Sequence, residues 1–358
     1  MRRLHFAAFT PRCPVCHAAG RPAAPLTVAG ADAADADDLR NAILHCPALA
    51  CRHEFPVING IPLVLAGLRQ LLTDRGVELL LRDDLPAEIE SLLGDAIGPD
   101  SWFDMLRQML STYGWDAYAA LDPAEAPADG HGPVPGAAAR LVDMLLDAAA
   151  PAAPVQRVLD LGCGAGASSF ALAARLPTAR VLGCDLHPGL LRLAQAAASG
   201  HVTYPRRRIG LVYDRRAFPV ALEGAGRVDF WAADATAMPL ADGVADLIVA
   251  LNLFDCLPDP LALLREAARL AAPGARLLMA TPFDWSSRAT NAAAWVGGHS
   301  QRGEDAGAAL PRLRDAMPAL GWRELWVKPH AAWQTRLHDR ASVSYDTCLL
   351  ALEREPAA

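Results

Sequence analysis

Two groups of residues in this sequence have the types and spacing that chemistry requires. One is a set of four cysteines near the start: Cys13, Cys16, Cys46 and Cys51. The other is a glycine-rich stretch at 160–166, followed by acidic residues at Asp185 and Asp234. Paired thiolates suit a metal ion, and alternate glycines let a backbone approach a ligand that a side chain would obstruct. The pattern indicates a metal site and a separate ligand site.

The cysteine pattern favours zinc. Cys13 and Cys16 form a C-x2-C turn, whereas Cys46 and Cys51 are separated by four residues. Zinc takes four such ligands in a tetrahedron, and a complete set of protein ligands leaves no open position for catalysis. We therefore expect a structural zinc site. The irregular second spacing makes His53 a rival to Cys51 for the fourth ligand.

The residues after the cysteines bear on this choice. The stretch CRHEFPVINGIPLVL, at 51–65, resembles the end of small zinc ribbons whose last cysteine binds the metal. The resemblance implies that Cys51 is the ligand. Ribbons of this kind are activating partners of tRNA and protein methyltransferases, and related ones are fused to guanine methyltransferases of ribosomal RNA. The resemblance thus implies a zinc-ribbon module at 1–65, through which a protein partner could bind.

The glycine-rich stretch follows a predicted strand, VQRVLDL, and precedes a predicted helix. The free N–H groups and the positive dipole end of that helix would favour a polar ligand. Taken alone the loop is ambiguous, because Gly162, Gly164 and Ala167 also satisfy the G-x-G-x-x-A pattern of dinucleotide-binding folds. The acidic residues nearby distinguish a dinucleotide-binding fold from a fold that binds another ligand.

Each acid has a place in one ligand. Asp160 can bind the amino group of a methionine-like tail, Asp185 two ribose hydroxyls, and Asp234 an adenine amino group. DLGCGAG, GCDLHPGLLRLA, ADATAMPLADGVADLIVALNLF and PGARLLMATP occur in this order. Over about 137–285 the chain thereby resembles class I methyltransferases that use S-adenosylmethionine (SAM). The predicted SAM-binding residues are Asp160, Gly162, Cys163, Gly164, Gly166, Asp185, Leu186, Asp234, Ala235 and Asn252.

Three later stretches, NLFDCLPDP, TPFDWSSRATNAAAWVGG and WQTRLHDRASVSYDTCLLALER, carry a second resemblance. They resemble the N-methyltransferase domain of ovothiol (mercaptohistidine) biosynthesis, although that family lacks the ribbon and the helical segment found here. The resemblance implies N-methylation of a small or peptide-borne imidazole-type acceptor. The candidate catalytic residues are Asn252, Asp255 and Tyr345, with His338, Asp284 and Trp285 as further polar neighbours.

Two other functions stay open at this point. The zinc ribbon would suit an RNA base methyltransferase, but the net charge of −7 disfavours nucleic acid, and Asn252-Leu-Phe stands where such enzymes carry a Pro-Pro-aromatic signature. A non-catalytic partner subunit with a SAM fold is the second alternative. The intact glycines and acids count against it.

Two further segments could cover the ligand. The predicted helix at 101–121, with Ser101 as N-cap, carries Trp102, Tyr113, Trp115 and Tyr118, which suit core packing or a lid. The insertion at 201–227 contains Arg206–Arg208 and Arg215–Arg216. Those arginines suit either a solvated face or a clamp for an anionic substrate.

Strand–helix alternation from residue 137 predicts an α/β fold with a doubly wound, seven-stranded methyltransferase-type sheet. The predicted domains are the zinc ribbon (1–65), a helical cap and linker (66–136) and the SAM-dependent methyltransferase domain (137–358). No stretch approaches the ~20 apolar residues that span a bilayer, and the arginine-bearing start is too short in apolar residues for a secretory signal. We expect a cytoplasmic protein that does not enter a membrane.

Overall fold

The computed structural model describes residues 1–31, 38–40, 42–68, 70–71, 98–125, 132–151, 153–299, 302–303 and 305–355. Much of the predicted helical segment at 66–97 lies outside the described residues. No described helix is long and apolar enough to cross a membrane.

The N-terminal part combines two short helices with a small antiparallel sheet. The helices are α1 (Arg3–Phe9) and α2 (Pro14–Ala18). The strands, in their order across the sheet, are β1 (Thr27–Ala31), β2 (Ala42–His45), β3 (Glu54–Ile58) and β4 (Ile61–Pro62). All three neighbouring pairs are antiparallel.

Two longer helices precede the main sheet: α3 (Trp102–Tyr118) and α4 (Ala137–Ala149). The hydroxyl of Ser101 accepts a hydrogen bond from the Asp104 backbone N–H at 3.2 Å, and this confirms Ser101 as the predicted N-cap. Asp116, on the last turns of α3, accepts from the backbone N–H groups of Ala137 and Ala138 at 2.7 and 3.1 Å. These bonds attach the start of α4 to α3.

From here strands and helices alternate. The remaining strands are β5 (Arg157–Leu161), β6 (Arg180–Asp185), β7 (His201–Ile209), β8 (Val212–Pro219), β9 (Val228–Ala232), β10 (Ala245–Leu251), β11 (Ala271–Thr281), β12 (Trp322–His338) and β13 (Ala341–Arg354). The remaining helices are α5 (Ala167–Arg175), α6 (Pro188–Ala198), α7 (Pro260–Leu270) and α8 (Ala309–Ala316). The predicted insertion forms the separate β7–β8 hairpin.

Seven of these strands form one mixed, largely parallel sheet in the order β12-β13-β11-β10-β5-β6-β9. β13 is antiparallel to both of its neighbours. The predicted α/β class and the seven-stranded sheet are therefore confirmed. The chain winds outward from β5 in both directions, so the strand order reverses between β5 and β10. In open α/β sheets the crevice at such a reversal, beyond the carboxyl ends of the strands, is where ligands bind.

The N-terminal part packs against the free edge of this sheet. Leu63 pairs with Ala232 of β9 in parallel fashion, and the Val64 backbone N–H donates to the Ala232 carbonyl at 3.2 Å. Phe9 and Phe55 share one buried core with Trp231 of β9. An edge strand left open would expose unpaired backbone groups, so this contact covers β9. The domain boundary at residue 65 stays a prediction.

Candidate functional site

The glycine loop after β5 depends on backbone conformations that other residues rarely adopt. Gly162 and Gly166 have φ of +75° and +87°. A Cβ at Gly166 would lie 2.9 Å from the ring of Phe230, so this glycine also permits close packing of α5 on the sheet. At Gly164, by contrast, the nearest side-chain atom to such a Cβ would be in Tyr113 at 3.9 Å. The loop therefore leaves space between its backbone and α3.

Asp185, at the end of β6, holds this loop in place. Its carboxylate accepts the Gly164 backbone N–H at 2.9 Å through one oxygen and the His187 backbone N–H at 2.8 Å through the other. Each carboxylate oxygen can accept more than one hydrogen bond. Asp185 and its neighbour Leu186, which is 37% exposed, both face the same cavity. The geometry leaves Asp185 able to take hydroxyl groups of a ligand.

Asp160 lies deeper than its predicted role suggests. Its side chain is 1% exposed, and one carboxylate oxygen accepts from the hydroxyls of Ser168 and Ser169 at 2.6 and 2.5 Å. Burial raises the pKa of Asp160 to about 6, although the two serine hydroxyls oppose the shift. Ser168 lines the cavity, whereas Asp160 lies behind it. A direct contact between Asp160 and a ligand stays a prediction.

Asp234 stabilises its own turn after β9. Its Oδ1 atom accepts from the Thr236 backbone N–H at 2.8 Å and from the Thr236 hydroxyl at 2.7 Å. Its neighbours Ala233 and Ala235 line the cavity. Small side chains at these two positions allow a flat ligand to approach the backbone. The predicted contact of Asp234 with an adenine amino group stays a prediction.

These residues surround one cavity of about 300 Å³ beyond the carboxyl ends of β5, β6 and β10. Gly162, Cys163 and Gly164 contribute the loop side of the cavity. Other lining residues come from elements that precede or follow the central strands, among them Tyr113 of α3 and Trp333 of β12. Most of the predicted SAM-binding residues therefore meet where the strand order reverses.

Asn252 follows β10 in a strained conformation, with φ of +50°. Its backbone N–H donates to the Ala280 carbonyl at 2.7 Å, which ties the loop to β11. The side chain lines the cavity, and its Oδ1 atom is buried without a hydrogen-bond partner among the described residues. Strained backbone at the rim of a cavity is typical of residues that hold a ligand.

A catalytic role for Asp255 predicts that its side chain lines the cavity, but the structure places it elsewhere. It is 2% exposed and does not line the cavity, and one of its oxygens accepts the Asp284 backbone N–H at 2.6 Å. Burial raises the pKa of Asp255. In the structure Asp255 joins the loop after β10 to the loop after β11, so its geometry suits positioning. A role in chemistry stays a prediction.

Tyr345, the third catalytic candidate, stacks on Trp333 with ring centroids 5.2 Å apart and an interplanar angle of 27°. Trp333 is the cavity-lining member of this pair. The sequence does not predict Trp333 as a site residue, because a single tryptophan in an alternating strand does not indicate which surface its side chain contacts. His338 lies at the turn between β12 and β13, where its Nδ1 atom accepts the Arg340 backbone N–H at 3.1 Å.

The aromatic residues of α3 divide between the two roles that the sequence left open. Trp115 and Tyr118 belong to the core, and the Tyr118 hydroxyl donates to the Ala165 carbonyl at 2.5 Å. Tyr113 lines the cavity, and Trp102 is 42% exposed. One face of α3 therefore lines the site, while Trp115 and Tyr118 anchor the helix in the core.

Two arginines of the β7–β8 hairpin, Arg206 and Arg216, form close ion pairs with acidic side chains. Arg206 makes a two-point ion pair with Glu125 at 2.6 and 2.8 Å and a third contact with Asp339 at 2.8 Å. Arg216 pairs with Asp122 at 2.6 Å. These contacts connect three separate segments. They argue against Arg206 and Arg216 as a clamp for an anionic substrate.

The four N-terminal cysteines converge, with all their sulfur atoms within 4.8 Å of one another. The Cys13 and Cys51 sulfurs are 3.7 Å apart, and the Cys16 and Cys46 sulfurs are 3.8 Å apart. Zn–S bonds of about 2.3 Å in a tetrahedron place the sulfurs about 3.8 Å apart. His53 is exposed, and its ring centroid lies 5.0 Å from that of Phe55 at an interplanar angle of 47°.

Comparison with known proteins agrees with this architecture. Residues 159–279 match the protein family described as a methyltransferase domain. Trans-aconitate 2-methyltransferase of Azoarcus sp. (strain BH72) is 31% identical over 187 residues, or 50% of this chain and 59% of that protein. Chloroplastic tocopherol O-methyltransferase of Arabidopsis thaliana is 29% identical over 127 residues, or 36% of this chain and 30% of that protein. The chain therefore covers less than two thirds of each relative.

Among solved structures, a SAM-dependent methyltransferase from Methanosarcina mazei aligns with a TM-score of 0.40 and 17% identity, over 58% of this chain and 96% of that chain. The segment that matches the family contains the glycine loop, Asp185, Asp234 and Asn252. Residues 159–279 thus resemble a methyltransferase domain, and they include β6, β9, β10 and most of β5 and β11 from the seven-stranded sheet.

Proposed function

We propose that this protein is a SAM-dependent methyltransferase that N-methylates a small or peptide-borne imidazole-type acceptor. The observation that carries the proposal is the single cavity in which the SAM-type loop meets an aromatic wall. Gly164, Asp185, Tyr113 and Trp333 all line this cavity. Ring side chains in the same cavity as the glycine loop suit a planar acceptor.

The residues present fit SAM. A Cβ at Gly164 would project into the open space between the loop and Tyr113, so glycine there keeps room for a ligand. Asp185 is oriented by two backbone N–H groups and retains capacity for ribose hydroxyls. When bound, SAM supplies a methyl group on a positively charged sulfur, which needs no further activation.

The chain's own residues then have to align the acceptor and exclude water. Tyr113 and Trp333 can hold the faces of a ring, and the stacked Tyr345 supports Trp333 from behind. The Asn252 amide at the cavity wall can orient a ring N–H. A neutral imidazole already has one nitrogen lone pair, so orientation of the ring is the main requirement.

For the N-terminal cysteines we propose one structural zinc ion per chain, bound by Cys13, Cys16, Cys46 and Cys51. Sulfur separations of 3.7 and 3.8 Å support this ligand set. Elemental analysis of purified protein should find stoichiometric zinc, and its absence would contradict the proposal. Cys51→Ser should lose the metal and His53→Ala should keep it; the reverse result would reassign the fourth ligand.

The function is tested by methyl transfer from labelled SAM. The acceptors are mercaptohistidine-like compounds, other small imidazoles and imidazole peptides, compared with ribosomal and transfer RNA. We expect label on an imidazole nitrogen and none on RNA. Labelled RNA with no labelled imidazole or thiol would favour the RNA base methyltransferase instead. SAM binding without any transfer would favour a non-catalytic subunit.

A further inference from the structure

Trp333 lies on a part of the β12–β13 hairpin that projects beyond the main sheet. β13 pairs with β11 only from Cys348 to Glu353, whereas Trp333 pairs with Tyr345. β12 is the outermost strand, so β13 is its only strand partner in the described part of the chain. A two-stranded hairpin is only marginally stable by itself in water. The position of Trp333 therefore depends on contacts outside the sheet.

The β7–β8 hairpin supplies such contacts. Arg336 of β12 donates through Nη2 to the Arg207 carbonyl at 2.6 Å and pairs with Asp339 at 2.5 Å. The Asp339 backbone N–H donates to the Arg208 carbonyl at 3.1 Å. Its carboxylate also accepts from Arg206 at 2.8 Å. The end of one hairpin is thereby attached to the end of the other.

The β7–β8 hairpin also rests on α3, the helix that carries Tyr113. The Arg207 backbone N–H donates to the Ser111 hydroxyl at 2.8 Å. A Cβ at Gly114 would lie 2.9 Å from the Tyr204 ring, so the helix and the hairpin are in close contact there. The β7–β8 hairpin therefore holds both α3 and the projecting part of β12, and each of these contributes a side chain to the cavity.

Arg336 makes this attachment at a cost. Its side chain is 5% exposed, and its Nη1 atom has no hydrogen-bond partner among the described residues. Burial lowers the pKa of Arg336, although the Asp339 carboxylate opposes the shift. A buried charge can often be replaced by an apolar side chain with no loss of stability. The presence of Arg336 is therefore better explained by the geometry it imposes than by the stability it adds.

We propose that Arg336 and Asp339 are positioning residues for the methyl acceptor and act through Trp333. By attaching the projecting part of β12 to the β7–β8 hairpin, they hold the Trp333 ring beside the acceptor. The inference rests on the function proposed above for the contact between Trp333 and the acceptor. A displacement of about 1 Å from the reacting geometry can slow a reaction by orders of magnitude, so residues outside the cavity can affect the transfer.

Two variants loosen this attachment, and a third serves as a control. Arg336→Met removes the buried charge but keeps a long side chain, and Asp339 retains its contact with Arg206. Asp339→Asn changes an exposed residue at the turn, so it tests the same attachment if Arg336→Met fails to fold. The control, Arg323→Met, removes an ion pair with Glu353 on the part of the hairpin that belongs to the sheet.

The position of Trp333 is measured by fluorine NMR on full-length protein labelled with fluorotryptophan. The Trp333 resonance is the one that is lost in Trp333→Phe. We expect this resonance to shift or broaden in Arg336→Met and Asp339→Asn and to stay unchanged in Arg323→Met. Calorimetry with S-adenosylhomocysteine should show an affinity within about twofold of the unaltered protein in all three variants.

Methyl transfer from labelled SAM gives a second measurement. For an imidazole that is methylated, kcat/KM should fall roughly tenfold in Arg336→Met, with no loss in the free energy of unfolding. In a Trp333→Ala background the same substitution should change kcat/KM by less than about twofold, because a residue that acts only through Trp333 then has nothing to position.

The outcomes separate this inference from the proposed function. An unmoved Trp333 resonance, shifts spread over all the tryptophan resonances, or the same response in Arg323→Met would overturn the inference. Additive losses of kcat/KM in Arg336→Met and Trp333→Ala would also overturn it. A specific Trp333 shift without methylation of any imidazole would uphold the positioning of Trp333 and overturn imidazole N-methylation.

Discussion

The two sides of the cavity are built in different ways. The SAM side consists of residues at the ends of the neighbouring strands β5 and β6, where Gly164 and Asp185 act through backbone conformation and backbone hydrogen bonds. The proposed acceptor side consists of Tyr113 on α3 and Trp333 on β12, which are 220 residues apart in the chain (333 − 113). Neither of these two residues lies within the segment that matches the methyltransferase family.

The difference separates a general function from a specific one. A site built from glycine φ angles and one carboxylate tolerates little change, so it has the same sequence pattern wherever it occurs. Side chains on elements away from the central strands can be substituted without altering the sheet. Such substitutions can change which substrate the protein prefers. We expect substitutions on the SAM side to abolish binding and substitutions on the acceptor side to change selectivity. The predictions below test that contrast from the largest effect to the smallest.

Asp185→Ala should cause the largest loss. Two ribose hydrogen bonds to a charged acceptor, each contributing about 1.5–3 kcal/mol, would be lost together, so SAM affinity should fall roughly a hundredfold or more. The Gly164 and His187 N–H groups would also lose their common partner. Calorimetry with SAM is the measurement, and Asp185→Asn, which keeps one carbonyl oxygen, is the control. Unchanged affinity in Asp185→Ala would rule out the assignment.

Gly166→Ala tests whether the loop is limited by packing as well as by backbone conformation. Its φ of +87° and a Cβ 2.9 Å from Phe230 should together lower the free energy of unfolding by about 2–4 kcal/mol. Gly243→Ala is the control, since its φ is +65° but a Cβ there meets nothing within 4 Å. Urea unfolding should show a smaller loss for the control. Equal losses would mean that packing on Phe230 contributes little.

The pKa of Asp160 predicts a pH-dependent stability. Because burial raises that pKa to about 6, the folded state binds a proton more tightly than the unfolded state does. The resulting stabilisation is complete below the unfolded pKa and is lost as pH rises through about 6, a difference on the order of 2–3 kcal/mol. Asp160→Asn should therefore stabilise the SAM-free protein at about pH 8 and much less at about pH 4.

Urea unfolding of both proteins at the two pH values measures this difference. The same stability gain at both values would contradict the raised pKa. A simultaneous loss of SAM affinity in Asp160→Asn would indicate that the buried carboxylate is kept for the cofactor at a cost in stability.

Trp333→Ala should have the smallest effect, and the effect should fall on the acceptor and not on SAM. Loss of one ring contact, worth about 0.5–1.5 kcal/mol, should raise the KM for the acceptor up to roughly tenfold. SAM affinity should change little, because the glycine loop and Asp185 remain. Trp333→Phe, which keeps a ring, should retain most of the acceptor affinity. If SAM affinity fell as much as acceptor affinity, the two sides of the cavity would not be separable.

The sequence alone determined the parts of this protein that depend on local order. The strand–loop–helix unit around Gly162 and Gly164 could be predicted because few residues tolerate positive φ, and Ser101 as N-cap because its bond to Asp104 spans three residues. The four cysteines could be grouped because metal binding restricts both their type and their spacing. The alternation of strands and helices predicted the sheet, because that alternation is also a local pattern in the sequence.

Only the tertiary structure decided which distant residues meet. It put Trp333 rather than Tyr345 among the residues that line the cavity, and it joined Asp255 to the backbone of Asp284 outside that lining. It also paired Arg206 with Glu125, whose separation of 81 residues no local pattern reveals. Such contacts depend on how whole elements pack, because a side chain's neighbours across a fold are set by the position and twist of the strands and helices that carry it. Local sequence patterns do not specify that packing.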